Sequence, residues 1–388
     1  MIYWEKLKNR KEGGMTRSLK SLYFTTSILN FGLSLMGIFL PVYIFQLTGN
    51  FYYLPVFYGI ASLTAAIALL LSPKFLPRLG AARSVLLANV FRVVNFAFLL
   101  SAPRFLPALW AAAVFEGLIF PTFWVTFHSV FTSTGKDGTF GHNIARMGVL
   151  VSVASALAPF FGGLVVSAFG FPVLYGVGMV LILLSTIPVV WIGDHLGFRD
   201  IPPGQILRET FSPAWRPILT GFFGNRLEIM FATLVWPIFV FGALNSFTSL
   251  GAITSVFAVV GVLFMVVAGR AVDKIGSRRI LPIGAVLLVP FWLLTGFTSS
   301  AVWFALLNGY RGAIAPFYGI SVESFFYRIA KRDSFLSIIK REFGIHLSIV
   351  LSVGLTAVLW YFFPENWPVL FIPAALGMLL SITLIRAK

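Results

Sequence analysis

The sequence predicts an all-α transmembrane protein of twelve helices, arranged as two pseudo-symmetric six-helix bundles with both termini cytoplasmic. Three observations carry this reading. Of 388 residues, 58% are hydrophobic and 11% charged, and a mean hydropathy of +0.92 leaves too little polar surface to cover a water-soluble globule. The turn Gly269-Arg-Ala-Val-Asp273-Lys-Ile-Gly276-Ser-Arg278-Arg279 has a degraded copy, Pro73-Lys-Phe-Leu-Pro77-Arg-Leu-Gly80-Ala-Ala-Arg83. Gly80 and Gly276 lie 196 positions apart (276 minus 80), and the same offset carries Pro41 onto Pro237, Tyr43 onto Phe239 and Leu54 onto Leu250. Finally, basic residues collect in alternate gaps between apolar runs, which fixes orientation by the positive-inside rule.

Taken in order, residues 1–19 form a basic cytoplasmic segment containing Lys6, Lys8, Arg10, Lys11 and Arg17. The apolar run that follows exceeds a signal-peptide core and lacks an Ala-x-Ala site, so it reads as a retained first span. Lys11-Glu12-Gly13-Gly14 is compatible with purine-rich, ribosome-binding-like codons, which leaves Met1 and Met15 both open as starts. N-terminal sequencing decides between them.

A helix needs about 20 apolar residues to cross the hydrocarbon core. Six spans fall near 20–46, 51–72, 84–101, 105–131, 146–169 and 171–193, making a bundle over 20–193. Residues 194–214, with Pro202-Pro203-Gly204, form the cytoplasmic linker. Spans near 215–242, 247–269, 279–297, 300–325, 344–363 and 367–385 make the second bundle over 215–388. Gly, Pro and charge clusters mark the breaks, and helices satisfy the backbone where an open strand edge in lipid would not. The odd-numbered gaps hold one basic residue, Arg104, against Lys74, Arg78, Arg83, Lys136, Arg146 and many more in the even ones.

The net charge of +16 is thereby absorbed by membrane orientation, and no nucleic-acid partner is expected. The absence of cysteine excludes disulfides and thiolate chemistry. No phosphate-binding Gly-x-x-x-x-Gly-Lys-[Ser/Thr] loop supports direct ATP use. With no nucleophile–base pair or metal-ligand spacing, neither an enzyme, a metal site nor a cofactor is indicated.

The duplicated halves and the Gly-x-x-x-Asp-x-x-Gly-x-Arg-Arg turn after the second span of a half resemble the major facilitator superfamily over essentially the whole chain. The resemblance implies a secondary transporter in the cell membrane, a monomer working by alternating access on a small-molecule substrate with proton coupling. It places gating at Gly269, Asp273, Gly276 and Arg279, with Arg78 and Gly80 in the first copy, where Pro73 and Pro77 replace the glycine and aspartate. Ala154-Ser-Ala-Leu-Ala158-Pro159-Phe-Phe-Gly162-Gly163 resembles the family's antiporter motif with two alanines for glycines. Pro159, Gly162 and Gly163 therefore join the gating set, and the implied activity is proton-coupled export of an amphipathic compound. Import or exchange of an organic acid, sugar or other metabolite is the alternative. A membrane sensor or scaffold that kept the fold without transport is the reading from another class.

Charges inside spans cost roughly 2.5 to 3.5 kcal/mol on insertion scales unless paired or wetted. Arg92, Glu116, Arg226, Glu228, Arg311 and Glu323 are therefore singled out. Phe115-Glu116-Gly117-Leu-Ile119-Phe-Pro121 aligns with Tyr310-Arg311-Gly312-Ala-Ile314-Ala-Pro316 at an offset of 195 (311 minus 116), making Glu116 and Arg311 pseudo-symmetric mates. In the family's architecture their spans face a common cavity, where a close pair is worth up to ~4 kcal/mol before desolvation. Glu116 is the expected proton carrier, with Arg311 and Arg226 holding a polar or anionic part of the substrate. Arg226 and Glu228 are two residues apart, about 200° around the helix, so only one faces the cavity. The repeat maps Arg226 onto polar Asn30 and Glu228 onto Gly32, which favours Arg226. Trp124 and Tyr310, with Tyr43 and Trp236, supply aromatic surface. Arg92 is expected to be structural and a partner for Glu116. His128 maps onto Glu323, and both are expected to snorkel to water at the cytoplasmic ends.

Overall fold

The structure, a computed structural model, describes residues 17–134, 149, 151–153, 155–191, 198–330 and 333–387. All regular structure among them is helical. The first half holds α1 (Arg17–Gly37), α2 (Leu40–Thr48), α3 (Tyr53–Ser101), α4 (Ala108–Thr134) and α5 (Ala158–Leu184), then a 3-10 turn at Ile187–Trp191. A linker helix, α6 (Pro203–Thr210), leads to α7 (Arg216–Met230), a π-helical turn (Phe231–Val235) and α8 (Trp236–Leu244). Next come α9 (Phe247–Ile275), α10 (Ser277–Thr295), α11 (Ala301–Ala330), α12 (Ser334–Phe362) and α13 (Trp367–Ser381), closed by a 3-10 turn at Ile382–Arg386.

Nine segments of the described residues are long and apolar enough to cross a membrane. Two are too long for one crossing. The 49 residues of α3 would extend ~74 Å as a single helix, but Gly80 interrupts them at φ 73°, ψ 174°. Gly170 interrupts α5 in the same way at φ 78°, ψ 177°. The 30-residue α11 is not among the nine, its apolar character diluted by residues such as Asn308 and Arg311.

The duplication read from sequence has a conformational counterpart. Gly80 and Gly276, mates in the repeat, both have positive φ, 73° and 98°, a region that L side chains enter only at a cost. A second pair shows the repeat in packing. A Cβ on Gly117 of α4 would strike the Ala61 carbonyl of α3, and one on Gly312 of α11 would strike the Phe257 carbonyl of α9. Close backbone approach at small residues is how membrane helices gain dispersion energy without a hydrophobic drive.

Two boundaries differ from the sequence reading. The linker is not featureless: α6 buries Ile206 and Thr210 and docks on α12 through Lys340 Nζ to Glu209 Oε2 at 3.3 Å. The eleventh predicted span begins at 344, whereas α12 begins at Ser334, with the Asp333 side chain accepting from the Leu336 amide. Lys340, Arg341 and Glu342, which a hydropathy window assigns to a loop, are buried there because each has an ionic partner.

Candidate functional site

Proline dictates where the site forms. It lacks an amide hydrogen and removes the α-helical partner of the carbonyl four residues earlier. Pro41 follows the break at Ile38–Phe39 between α1 and α2. Pro237, its repeat mate, follows the π turn. Pro159 follows the turn at Ala156–Leu157 that opens α5. The three interruptions surround one cavity of about 430 Å³, reached from α1 by Asn30, Ser34 and Gly37 and from the π turn by Thr233. Ser152, Ser155 and Pro159 line it before and within α5, and Thr254 and Phe257 line it from α9. Both halves of the chain contribute, and among the described residues no lining side chain is charged.

The walls are held by direct contact between the halves. The Phe160 amide, at the start of α5 where intrahelical partners run out, donates to Ser255 Oγ of α9 at 3.1 Å. Ser167 and Thr248 hydroxyls meet at 3.1 Å. A Cβ on Gly163 would stand 2.5 Å from the Phe247 carbonyl, and one on Gly251 would strike that of Pro159. Gly162 faces its own half, against the Leu35 carbonyl of α1. Away from the linker, Phe51 and Trp360 stack across the halves at 3.9 Å.

The intramembrane charges fall into three groups. In the first half, half-buried Glu116 lies in the field of Arg92 and Tyr58. Arg92 is buried, donates to Asn89 Oδ1 at 2.8 Å and covers the Phe123 ring at 4.3 Å. In the second half, Arg311 donates to Glu228 at 2.7 Å and is caged by Phe257, Phe291 and Trp292 at 4.9 to 5.1 Å. The expected Glu116–Arg311 pair is therefore not formed: Arg311 is bonded to Glu228, within its own half, because α7 places that carboxylate beside α11. Asn225, on the same face as Glu228, donates to the Tyr318 hydroxyl at 3.2 Å.

The third group bridges the halves at the linker end. His128 of α4 is buried rather than snorkelling, with Nδ1 2.5 Å from the Tyr327 hydroxyl of α11 and Nε2 3.6 Å from Glu342 of α12. Arg341 pairs with Glu323 and approaches His128 Nε2 at 3.4 Å. Glu323 is thus held by an ion pair, again unlike the expectation. Arg226 joins this electrostatic cluster, near Arg341, Glu342 and Glu323, with its buried Nε unpartnered. Arg226 is not among the cavity-lining residues, whereas Asn30 is, its amide tied to the Thr26 carbonyl at 2.7 Å.

Trp124 packs on Phe123, Phe127 and His128, between Glu116 and the bridge. Tyr310 is exposed and donates to the Leu287 carbonyl at 2.5 Å, on the outer face of α10 and α11 rather than in the cavity. Around the turn between α9 and α10, Gly269 is buried, Asp273 half-buried and Arg279 exposed, while the Gly276 amide closes α9 onto the Val272 carbonyl at 3.0 Å. Arg78 is exposed beside Gly80. Ala154, Lys136, Phe140, Arg146, His142 and His195 lie outside the described residues. The bridge of His128, Tyr327, Arg341 and Glu342 was missed from sequence. The offset of 195 that joins His128 to Glu323 also maps Arg146 onto Arg341, but snorkelling was expected of the first pair and loop positions of the second.

No protein-family model matches the chain, and no curated protein does. Solved structures do. The human organic anion transporter MFSD10 (TETRAN) superimposes with a TM-score of 0.70 at 13% identity, covering 95% of this chain and 99% of that one. The nucleoside transporter NupG gives 0.64 at 14% identity, over 96% and 99%. The fold is that of the major facilitator superfamily.

Proposed function

We propose that this chain, built on the major facilitator superfamily fold, is a secondary transporter that moves a small amphipathic solute by alternating access, coupled to protons. Counting α3 and α5 as two crossings each and adding α11 to the nine gives twelve, six on either side of the linker, with the basic linker end cytoplasmic. The observation that carries the reading is the cavity between the halves, where three proline-interrupted helices meet. Interrupted helices around a cavity shared by two repeats are the setting in which transporters place substrate.

The lining favours a neutral solute with several hydrogen-bonding groups and one apolar face. Ser, Thr and Asn side chains provide donors and acceptors, and Phe257 a flat wall. Of the two likenesses, a nucleoside suits this lining better than an organic anion. Arg311, committed to Glu228, supports Phe257 from behind rather than binding an anion. Glu116 is the proposed proton carrier, with Arg92 as its counter-charge. The Pro159-to-Gly163 element supports export in exchange for protons, and Asp273 gates the linker end.

Flux of a nucleoside, sugar and organic-acid panel in proteoliposomes under opposed proton gradients tests this. The expected outcome is uptake of a neutral solute whose direction follows the gradient in wild type and loses pH dependence in Glu116→Gln. Full pH-driven transport by that variant removes Glu116 from the mechanism, and no flux of any solute removes the transporter reading.

A further inference from the structure

A second cavity, of about 450 Å³, opens at the linker end entirely within the second half and apart from the central cavity. Its charged lining is lopsided: Arg278, Arg328 and Lys340 against the single carboxylate of Asp333. That carboxylate is already engaged at both oxygens, one accepting from the Leu336 amide and the other paired with Arg199. The cations retain donors. Arg278 uses one terminal nitrogen on the Ala387 carbonyl at 2.7 Å, out of five guanidinium N–H groups. Lys340, 8% exposed, spends one donor on Glu209 and rests on the Trp215 ring at 3.9 Å. Exposed Arg328 makes no ion pair or hydrogen bond among the described residues. Ser277, 1% exposed, lines the same cavity with its hydroxyl unpartnered.

Two observations thus converge: an excess of cations, with Arg278 and Arg328 making no ion pair among the described residues and Lys340 paired to Glu209 alone, and a buried hydroxyl left without an acceptor at a cost of about 1 to 3 kcal/mol if nothing meets it. Both call for an anion with several acceptor oxygens. Carboxylate is too small to answer three cations and a hydroxyl across this volume, whereas a phosphoryl group offers more acceptors and charge. The cavity stands among the linker-side ends of α10, α11 and α12, and basic pockets between membrane helices on the cytoplasmic side engage phosphate headgroups. We propose that the cavity bounded by Ser277, Arg278, Arg328 and Lys340 is a binding site for a phosphoryl-bearing anion, separate from the transported solute. Because Lys340 and Arg341 are adjacent in α12, an occupant here adjoins the helix that carries the bridge to His128.

Delipidated protein in neutral detergent is titrated with inorganic phosphate, dihexanoyl phosphatidylglycerol and dihexanoyl phosphatidylcholine, and bound ligand is read by native mass spectrometry. Wild type is expected to hold phosphatidylglycerol or phosphate in preference to phosphatidylcholine. Arg328→Gln is expected to weaken this by about fivefold, as loss of ~1 kcal/mol per cation near the interface requires. Ser277→Ala weakens it too, and Arg104→Gln, at the opposite end, leaves it unchanged. Competition between phosphate and phosphatidylglycerol assigns a site open to soluble phosphate; phosphatidylglycerol binding without competition assigns a lipid headgroup. The proposal is overturned if phosphatidylcholine binds as well as phosphatidylglycerol and phosphate does not bind, or if Arg328→Gln and Arg104→Gln behave alike. Since Arg328 is exposed and makes no ion pair among the described residues, its loss is expected to leave folding intact, and the thermal unfolding midpoint checks that.

Discussion

His128 Nδ1 stands 2.5 Å from the Tyr327 hydroxyl, and the two residues come from opposite halves of the chain. With Glu342 at 3.6 Å from Nε2, the imidazole is the polar centre of a contact between the halves near the linker end. On the proposed alternating-access mechanism, opening the central cavity to that side breaks this contact.

Breaking it chemically should bias the equilibrium. Tyr327→Phe removes one buried hydrogen bond worth about 1 kcal/mol, or roughly a fivefold shift in the open population. Because the chain has no cysteine, Thr233→Cys gives a single reporter at the cavity. A maleimide supplied from the linker side should label it about fivefold faster in the Tyr327→Phe background. Equal rates would show that the contact does not gate access.

The Arg311–Glu228 pair sits within one half and should behave as a structural unit. Removing one partner leaves a buried charge uncompensated, a loss on the order of 3 to 5 kcal/mol. Removing both should restore part of it. Arg311→Met and Glu228→Gln singly should lower the unfolding midpoint of the purified protein more than the double variant does. Additive losses would place the two residues in separate networks.

The sequence was legible where a periodic or compositional rule had one physical cause. Apolar runs and the repeat follow from lipid exposure and duplication, and the repeat equates Gly80 with Gly276, which share a positive φ. Partner choice was not legible. The offset equates Glu116 with Arg311 in the repeat, but equivalence under pseudo-symmetry does not make two residues neighbours. Arg311 found Glu228 because the two long side chains reach each other between α7 and α11, a fact of packing that no spacing rule contains. Nor could hydropathy separate a loop charge from a buried one. Lys340 and Arg341 look like positive-inside residues, and Glu342 like a loop carboxylate, until the partners from α6, α4 and α11 are seen around them.

Gly162 and Gly163 offer a test of which contacts belong to transport. A Cβ at Gly162 meets the Leu35 carbonyl of the same half, and one at Gly163 meets the Phe247 carbonyl of the other. Overpacking of either costs typically 1 to 3 kcal/mol. Gly162→Ala should therefore lower the unfolding midpoint, with flux per folded molecule little changed. In Gly163→Ala the strain falls on the α5–α9 seam, which the opposite orientation can relieve, so the orientation should shift and flux fall. Thermal unfolding and flux measured on the same preparations check the split, and identical profiles would refute it.

Docking of the linker helix should depend on pH through Glu209, which lies outside the membrane. Its carboxyl is held below the ordinary value of 4.5, first by the Gln205 amide at 2.9 Å and further by Lys340, against a smaller opposing effect of burial. The Gln205 bond lies within α6 and is kept on undocking, so it is the contact with Lys340 of α12 that ties the ionised form to docking. That contribution is fully present above 4.5 and is lost as pH falls through the lower docked-state value. A fluorine label on Gly204→Cys, where a side chain meets open space, should report a docked signal at neutral pH and a second signal growing in only below 4.5. Glu209→Gln keeps a hydrogen-bonding group without the charge, so its second signal should be present at every pH. A transition of unchanged midpoint in that variant would assign the pH response to another group.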